Sequence, residues 1–199
     1  MDDLAGLILI LGGARSGKSS FAETLAAQSA RPVLYVATAQ ALDDEMKGRI
    51  RRHQQRRPVD WRILEVHQQV GKTVQVEVQA DEIVLVDCVS LLVSNVILAG
   101  GEGISLEDAQ PHVEAEIEEL LAFARNHPAP VIVVSNEVGL GGVPLYSLGR
   151  IYQDLLGWAN QRIAAAAGQV YWIIAGLPIE LKKMAFCPIC QCNHGPDVE

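Results

Sequence analysis

Leu7-Ile8-Leu9-Ile10-Leu11-Gly12-Gly13-Ala14-Arg15-Ser16-Gly17-Lys18-Ser19 joins an unbroken apolar run to a complete G-x-x-x-x-G-K-S pattern. An apolar run of that length reads as a strand buried on both faces. The residues after it, Ser20-Phe21-Ala22-Glu23-Thr24-Leu25-Ala26-Ala27, read as a helix. A glycine loop between such a strand and such a helix aims backbone N–H groups and a helix N-terminus at one point, which is a site for phosphate. Gly12 and Gly17 let the backbone approach the phosphate oxygens, with Gly13, Ala14, Arg15 and Ser16 forming the wall between them. Lys18 carries charge to the β- and γ-phosphates, and Ser19 offers a hydroxyl to Mg²⁺. ATP or GTP is the expected ligand.

Further apolar runs at Val33–Ala37, Ile83–Val86, Val131–Val134 and Val170–Ile174 are of strand length and alternate with helical segments. Leu106, Ala109, Val113, Ile117, Leu120, Leu121 and Ala124 recur with a 3.6-residue period, with Glu114, Glu116, Glu118 and Glu119 assigned to the opposite face. Two more helices are expected, from Leu42 to about Arg57 ahead of Pro58, and from Leu148 to Ala167 ahead of Gly168. The stretch from Val70 to Ala80 alternates like a strand at Val74, Val76 and Val78, although the surrounding order would tolerate a short helix, and it is left open. The repeated βα order predicts an α/β fold, a P-loop NTPase-like doubly wound, mostly parallel sheet with helices on both faces. Its ligands would sit at the carboxyl ends of the strands. Residues 1–183 would form one domain, followed by a cysteine-rich tail over 184–199.

The chain has 199 residues and a net charge of −8. That charge argues against a general nucleic-acid or anionic-membrane binder, so the anion site must be local. No apolar stretch is long enough to span a bilayer, and there is no basic region leading into an apolar signal core, which together predict a cytoplasmic protein. Cys187, Cys190 and Cys192 crowd into the tail with His194 and supply four possible Zn²⁺ ligands in eight residues. A metal-free tail is the other reading of the same residues.

Asp87 ends the run Ile83–Val86, where a carboxylate holds Mg²⁺ directly or through water. It also stands where an aspartate would cap the helix expected from about Ser90. His53 lies among Arg49, Arg51, Arg52, Arg56 and Arg57 in this otherwise acidic chain. That cluster is either a solvated helix face or a neutral imidazole poised for attack on phosphorus beside phosphate-binding arginines. Asn136 to Gly142 is a glycine-rich loop after the fourth of these strands, either a structural turn or a loop that closes on substrate, with Glu137 a candidate base or metal partner.

The order of several blocks adds a resemblance. The phosphate loop is followed by Tyr35-Val36-Ala37-Thr38-Ala39, then Leu42-Asp43-Asp44-Glu45-Met46 with Arg49-Ile50 and His53, then Arg57-Pro58 and Trp61-Arg62. Ser135-Asn136-Glu137-Val138-Gly139 with Val143-Pro144, and Asn160-Gln161-Arg162 before an alanine run, come later. Over residues 7 to 182 the chain resembles the bifunctional adenosylcobinamide kinase/adenosylcobinamide-phosphate guanylyltransferases of cobalamin biosynthesis. The resemblance implies phosphorylation of adenosylcobinamide by ATP or GTP, then GMP transfer from GTP through a guanylylated histidine, matched by His53. It implies nucleotide contacts from Ala37, Thr38, Ala39, Gln54, Gln55, Arg56, Arg57, Glu65 and Asp87, and a homotrimer whose subunit edges help to build the site. Arg52 stands where the family often has a first histidine, and Gln54-Gln55-Arg56 replaces a lysine-rich stretch. The competing expectations are a nucleotide-dependent switch or assembly ATPase, and a small-molecule kinase without transferase activity.

Overall fold

The computed structural model describes residues 5–40, 48, 58–101 and 103–184. Among them, seven strands form one sheet in the order β3-β2-β4-β5-β1-β6-β7. The strands are β1 (Leu7–Gly12), β2 (Val33–Ala37), β3 (Arg62–Glu65), β4 (Ile83–Asp87), β5 (Val131–Asn136), β6 (Gln169–Ile174) and β7 (Leu177–Glu180). All neighbours are parallel except β6 and β7. The helices are α1 (Lys18–Gln28), α2 (Val70–Glu77), α3 (Val89–Ala99), α4 (Leu106–Asn126), α5 (Ser147–Ala166) and the short α6 (Leu181–Met184).

The handedness of parallel crossovers explains which face each helix covers. From β1 the chain moves one way along the sheet to β2, and α1 packs on one face with Ile8, Ile10, Tyr35, Leu85, Ile132 and Val134. From β3 to β4, β5 and β6 it moves the other way, and α2, α3, α4 and α5 cover the opposite face around Leu9, Val36, Val86 and Val133. A right-handed connection reverses face when it reverses direction. The central strands are therefore buried on both sides, as their unbroken apolar runs require.

One segment left open by the sequence reading and two departures from it have local causes. The ambiguous segment is helix α2, in which Val74 is buried while Val76 is 83% exposed, so the valine alternation does not mark a strand. Strands β3 and β7 carry mostly exposed or half-buried side chains and so lack the apolar signature of the inner strands. Glu116, assigned to the solvent face of α4, is instead buried, and Leu106 at the start of that helix is partly exposed.

The buried Glu116 has a specific task. Its two carboxylate oxygens accept from the backbone N–H groups of Gln69 and Val70, each at 2.7 Å. Gln69 is in the left-handed region and makes no side-chain cap, so Glu116 satisfies the first amides of α2 from another helix. Replacing Glu116 by Ala leaves buried donors unpaired and is expected to cost about 3 kcal/mol. A calorimetric melt should show Tm falling by roughly 6–12 °C.

Candidate active site

The strand register lines up the expected site residues along one edge. Ala37 pairs with Glu65 on one side and with Asp87 on the other, while Gly12 pairs with Asn136 of β5 and Ile173 of β6. The carboxyl ends of the parallel strands thus bring together the phosphate loop, Ala37, Glu65, Asp87 and the Asn136 loop. This is where doubly wound sheets bind ligands.

The loop itself is shaped by close contacts. Arg15 and Gly17 have positive φ, 58° and 98°, and Ser16 N–H donates to Gly13 O at 3.2 Å. A Cβ on Gly12 would meet Ser16 Oγ at 2.5 Å and the carbonyl oxygen of Ile173 at 2.8 Å, so only glycine fits. The β6–β7 turn braces the loop from the side: Gly176 N–H donates to Ser16 O at 2.8 Å. Ala175 and Gly176 both have positive φ, which closes that two-residue hairpin. Helix α1 starts at Lys18 with no side-chain cap and no acidic residue in its first turn, leaving its N-terminus available to an anion. The Lys18 ammonium donates to Gly13 O at 3.2 Å, folding the charge over the loop. Burial lowers its pKa below the ordinary lysine value, opposed by attraction to Cys88 and Asp87 if these are ionised.

Asp87 does not cap α3. The N-cap is Cys88, and no side chain closes that end. Instead Asp87 Oδ2 accepts from the Tyr35 hydroxyl at 2.7 Å. Beside it, the Thr38 hydroxyl donates to Cys88 O and accepts from Cys88 N–H, both at 2.8 Å, and Thr38 is fully buried. Its hydroxyl is thus committed to the backbone that carries Asp87, and Thr38 supports the site from behind. Ala37 and Ala39 are half-buried, and Glu65 is exposed at the end of β3. Cys88 is sealed beneath this surface, with its thiol pushed up to about 11 by burial and by Asp87, so it is a neutral packing group at ordinary pH.

One supporting residue escaped the sequence reading. Asn95, a polar residue within the apolar helix α3, donates to Thr38 O at 2.8 Å and His67 O at 3.1 Å. That isolation among apolar neighbours was the available signal. Asn160 donates to Asn136 O at 2.9 Å and holds the end of β5. Glu137 accepts from Gly139 N–H at 2.8 Å, so its carboxylate shapes the loop it begins. Ser16 Oγ and Asn136 Oδ1 are buried without a hydrogen-bond partner among the described residues, and both lie in segments that border the phosphate loop. Orphaned polar atoms at such a place fit a polar ligand. A cavity of about 520 Å³ lies along the loop after β5, lined by Val143, Arg150, Gln153, Asp154, Trp158 and Gln161 among others. His53, Gln54, Gln55, Arg56 and Arg57 lie outside the described residues, as do Cys187, Cys190, Cys192 and His194.

Comparison with known proteins decides the family. The model for CobU, cobinamide kinase/cobinamide phosphate guanyltransferase, matches residues 8–181. The chain belongs to this family. Among its curated relatives, the bifunctional adenosylcobalamin biosynthesis protein CobP of Pseudomonas aeruginosa is 46% identical over 174 residues, covering 87% of this chain and 96% of the relative. The bifunctional adenosylcobalamin biosynthesis protein CobU of Escherichia coli strain K12 is 40% identical over 181 residues, covering 88% and 99%. The CobU family fold has distant likenesses among solved structures. An ATPase from a bacterial type III secretion system superposes with TM-score 0.57 at 13% identity, covering 89% of this chain and 57% of that one. A Pyrococcus horikoshii protein gives 0.52 at 10% identity, covering 98% and 95%. These show a shared fold and nothing more about chemistry. Membership in the CobU family makes the chain a bifunctional kinase and guanylyltransferase, and sets aside the switch and kinase-only expectations.

Proposed function

We propose that the chain phosphorylates adenosylcobinamide with ATP or GTP and then transfers GMP from GTP to the resulting phosphate through His53. The observation that carries the kinase half is the Lys18 ammonium folded over an uncapped helix N-terminus, with Asp87 at the end of a strand on the same sheet edge. In the first step the substrate hydroxyl oxygen attacks the γ-phosphorus, the bond to the bridging oxygen breaks, ADP or GDP leaves, and the hydroxyl proton passes to solvent. The loop amides and Lys18 hold the charge that gathers on the nucleotide. In the second step a ring nitrogen of His53 attacks the α-phosphorus of GTP and pyrophosphate leaves. An oxygen of adenosylcobinamide phosphate then displaces the histidine from that phosphorus. This divides one displacement into two.

Ser19 and Asp87 are the residues that would hold Mg²⁺. Their hydroxyl and carboxylate are hard oxygen donors, and the described residues contain no cluster of three or more His, Cys, Asp or Glu for a protein-only metal cage. Mg²⁺ is commonly held by one or two carboxylates together with substrate phosphates, which fits this set. When bound it neutralises phosphate charge. The cavity beside the Asn136 loop, with both Trp158 and polar side chains in its wall, suits the corrinoid acceptor. Leu140, Val143, Leu145 and Tyr146 are strongly exposed on the same loop, which supports a subunit contact near the site; a homotrimer is what the family resemblance implies for it. We place the enzyme in the cytoplasm, acting on small molecules and not on nucleic acid.

The function is tested with γ-labelled ATP and adenosylcobinamide, followed by unlabelled GTP. Label should move first to the corrinoid and then into a corrinoid–GDP product, with pyrophosphate released. Absence of corrinoid labelling from active, folded enzyme would refute the proposal. We further propose that the tail over 184–199 is separate from the catalytic domain. All assigned reactive groups precede Gly142, so truncation after Lys183 should leave both rates within about twofold while removing any Zn²⁺ carried by the tail. Rate assays paired with metal analysis check this.

A further inference from the structure

We propose that Tyr35 makes Asp87 a one-oxygen ligand and thereby sets the preference of the nucleotide site for Mg²⁺ over Ca²⁺, an inference that rests on the reading of Asp87 as a metal-holding residue. Tyr35 lies in the middle of β2 and is 1% exposed. Residues 35 and 37 point to the same face of the sheet, and Ala37 is the register partner of Asp87, so Tyr35 is diagonal to Asp87 on that face. Its hydroxyl reaches Asp87 Oδ2 at 2.7 Å. The ring is fixed by stacking on Trp61, with centroids 6.4 Å apart and planes 27° from parallel. Trp61 in turn leads into β3, where Arg62 donates to both oxygens of the buried Glu82 at 2.8 and 2.7 Å. The phenol is thus held from strand to strand, and it cannot swing away without disturbing that packing.

A phenol donating to a carboxylate makes a charge-assisted bond that takes one lone pair of that oxygen and fixes its orientation. No hydrogen bond from a described side chain to Asp87 Oδ1 accompanies the one to Oδ2, which leaves Oδ1 the less engaged donor for a cation. Mg²⁺ demands near-ideal octahedral geometry, to which one carboxylate oxygen suffices. Ca²⁺ accepts higher coordination numbers and often takes both oxygens of a carboxylate. Tethering Oδ2 therefore disfavours the bidentate mode open to Ca²⁺ more than the one-oxygen mode that suffices for Mg²⁺. Tyr35 acts through Asp87 and is a positioning residue.

The test measures binding of a fluorescent N-methylanthraniloyl GTP to full-length protein, with Mg²⁺ and Ca²⁺ titrated separately and with EDTA as the metal-free reference. In Tyr35→Phe the ratio of the Ca²⁺ to the Mg²⁺ half-saturating concentration should fall by about tenfold, the effect expected of losing one hydrogen bond to a charged group. Affinity in EDTA should not change. In an Asp87→Asn background, adding Tyr35→Phe should leave the ratio unmoved. A wild type that responds to Mg²⁺, with a folded Tyr35→Phe variant whose ratio equals that of wild type, overturns the role of Tyr35 while sparing that of Asp87. Equal metal responses in wild type and Asp87→Asn overturn the metal reading itself, and the inference with it. Should Tyr35→Phe fail to fold, Trp61→Phe, which loosens the ring but keeps the hydroxyl, must lower the ratio in the same direction, and an unchanged ratio there refutes the proposal.

Discussion

Replacing His53 by Ala is expected to abolish the covalent GMP adduct and to lower guanylyl transfer on the order of 10⁵-fold or more, the scale of loss when a nucleophile is removed. Kinase activity should stay within about threefold of wild type, because the groups assigned to phosphoryl transfer are Lys18, the loop amides and Asp87. The adduct is read with α-labelled GTP and denaturing gels. A phosphorus–nitrogen bond to histidine should be labile to acid and stable to base. Label retained in His53→Ala would move the nucleophile elsewhere. The sequence makes this result sharp, since Arg52 replaces the neighbouring histidine often found in the family and leaves no adjacent imidazole to substitute.

Lys18→Ala should lower kcat/KM for cobinamide phosphorylation about 10³-fold, the upper range for removing a positioned group that stabilises transition-state charge. The fold should survive. Burial already disfavours the Lys18 ammonium, so its removal relieves a desolvation cost and sacrifices only a bond to Gly13 O. Near-normal phosphorylation by a folded Lys18→Ala protein would count decisively against the site. A pH profile adds a second measurement. The pKa of Lys18 is lowered from 10.5, chiefly by burial, so charge on the free enzyme is lost as pH rises before an ordinary lysine would lose it. The alkaline limb of kcat/KM should therefore fall below 10.5. In kcat it should shift upward, because bound phosphate favours the charged form.

How much of this was legible in the sequence follows from what each residue must satisfy. The inner strands were visible because burial on both faces demands continuous apolar residues, as in Leu7–Leu11 and Ile83–Val86. β3 and β7 were not, because edge strands are held by backbone pairing and here carry exposed or half-buried side chains. The phosphate loop was visible because its glycines and lysine act at fixed spacing within one segment. The supports of Asp87 were hidden because they come from elsewhere in the chain: Tyr35 from β2, Thr38 from just after it, and Asn95 from α3. Glu116 was misread for a related reason. A periodic pattern assigns faces to a helix, but it cannot show that the N-terminus of α2 lies against one of them with its amides unpaired.

The position of β1 carries a cost during synthesis. Its neighbours are β5 and β6, and the loop it feeds is braced by Gly176, so every partner of the first strand is made late. At about 5–20 residues per second the ribosome needs roughly 9–35 s to reach Gly176. Until β5 is made, ending at Asn136, Leu7–Leu11 has no native edge to pair with, and a free strand of this composition invites association with other chains. Nucleotide cannot relieve the delay, because the cradle that would bind it is not closed until the last strands arrive. Yield on overexpression should therefore respond more to chaperone supply during synthesis than to added nucleotide.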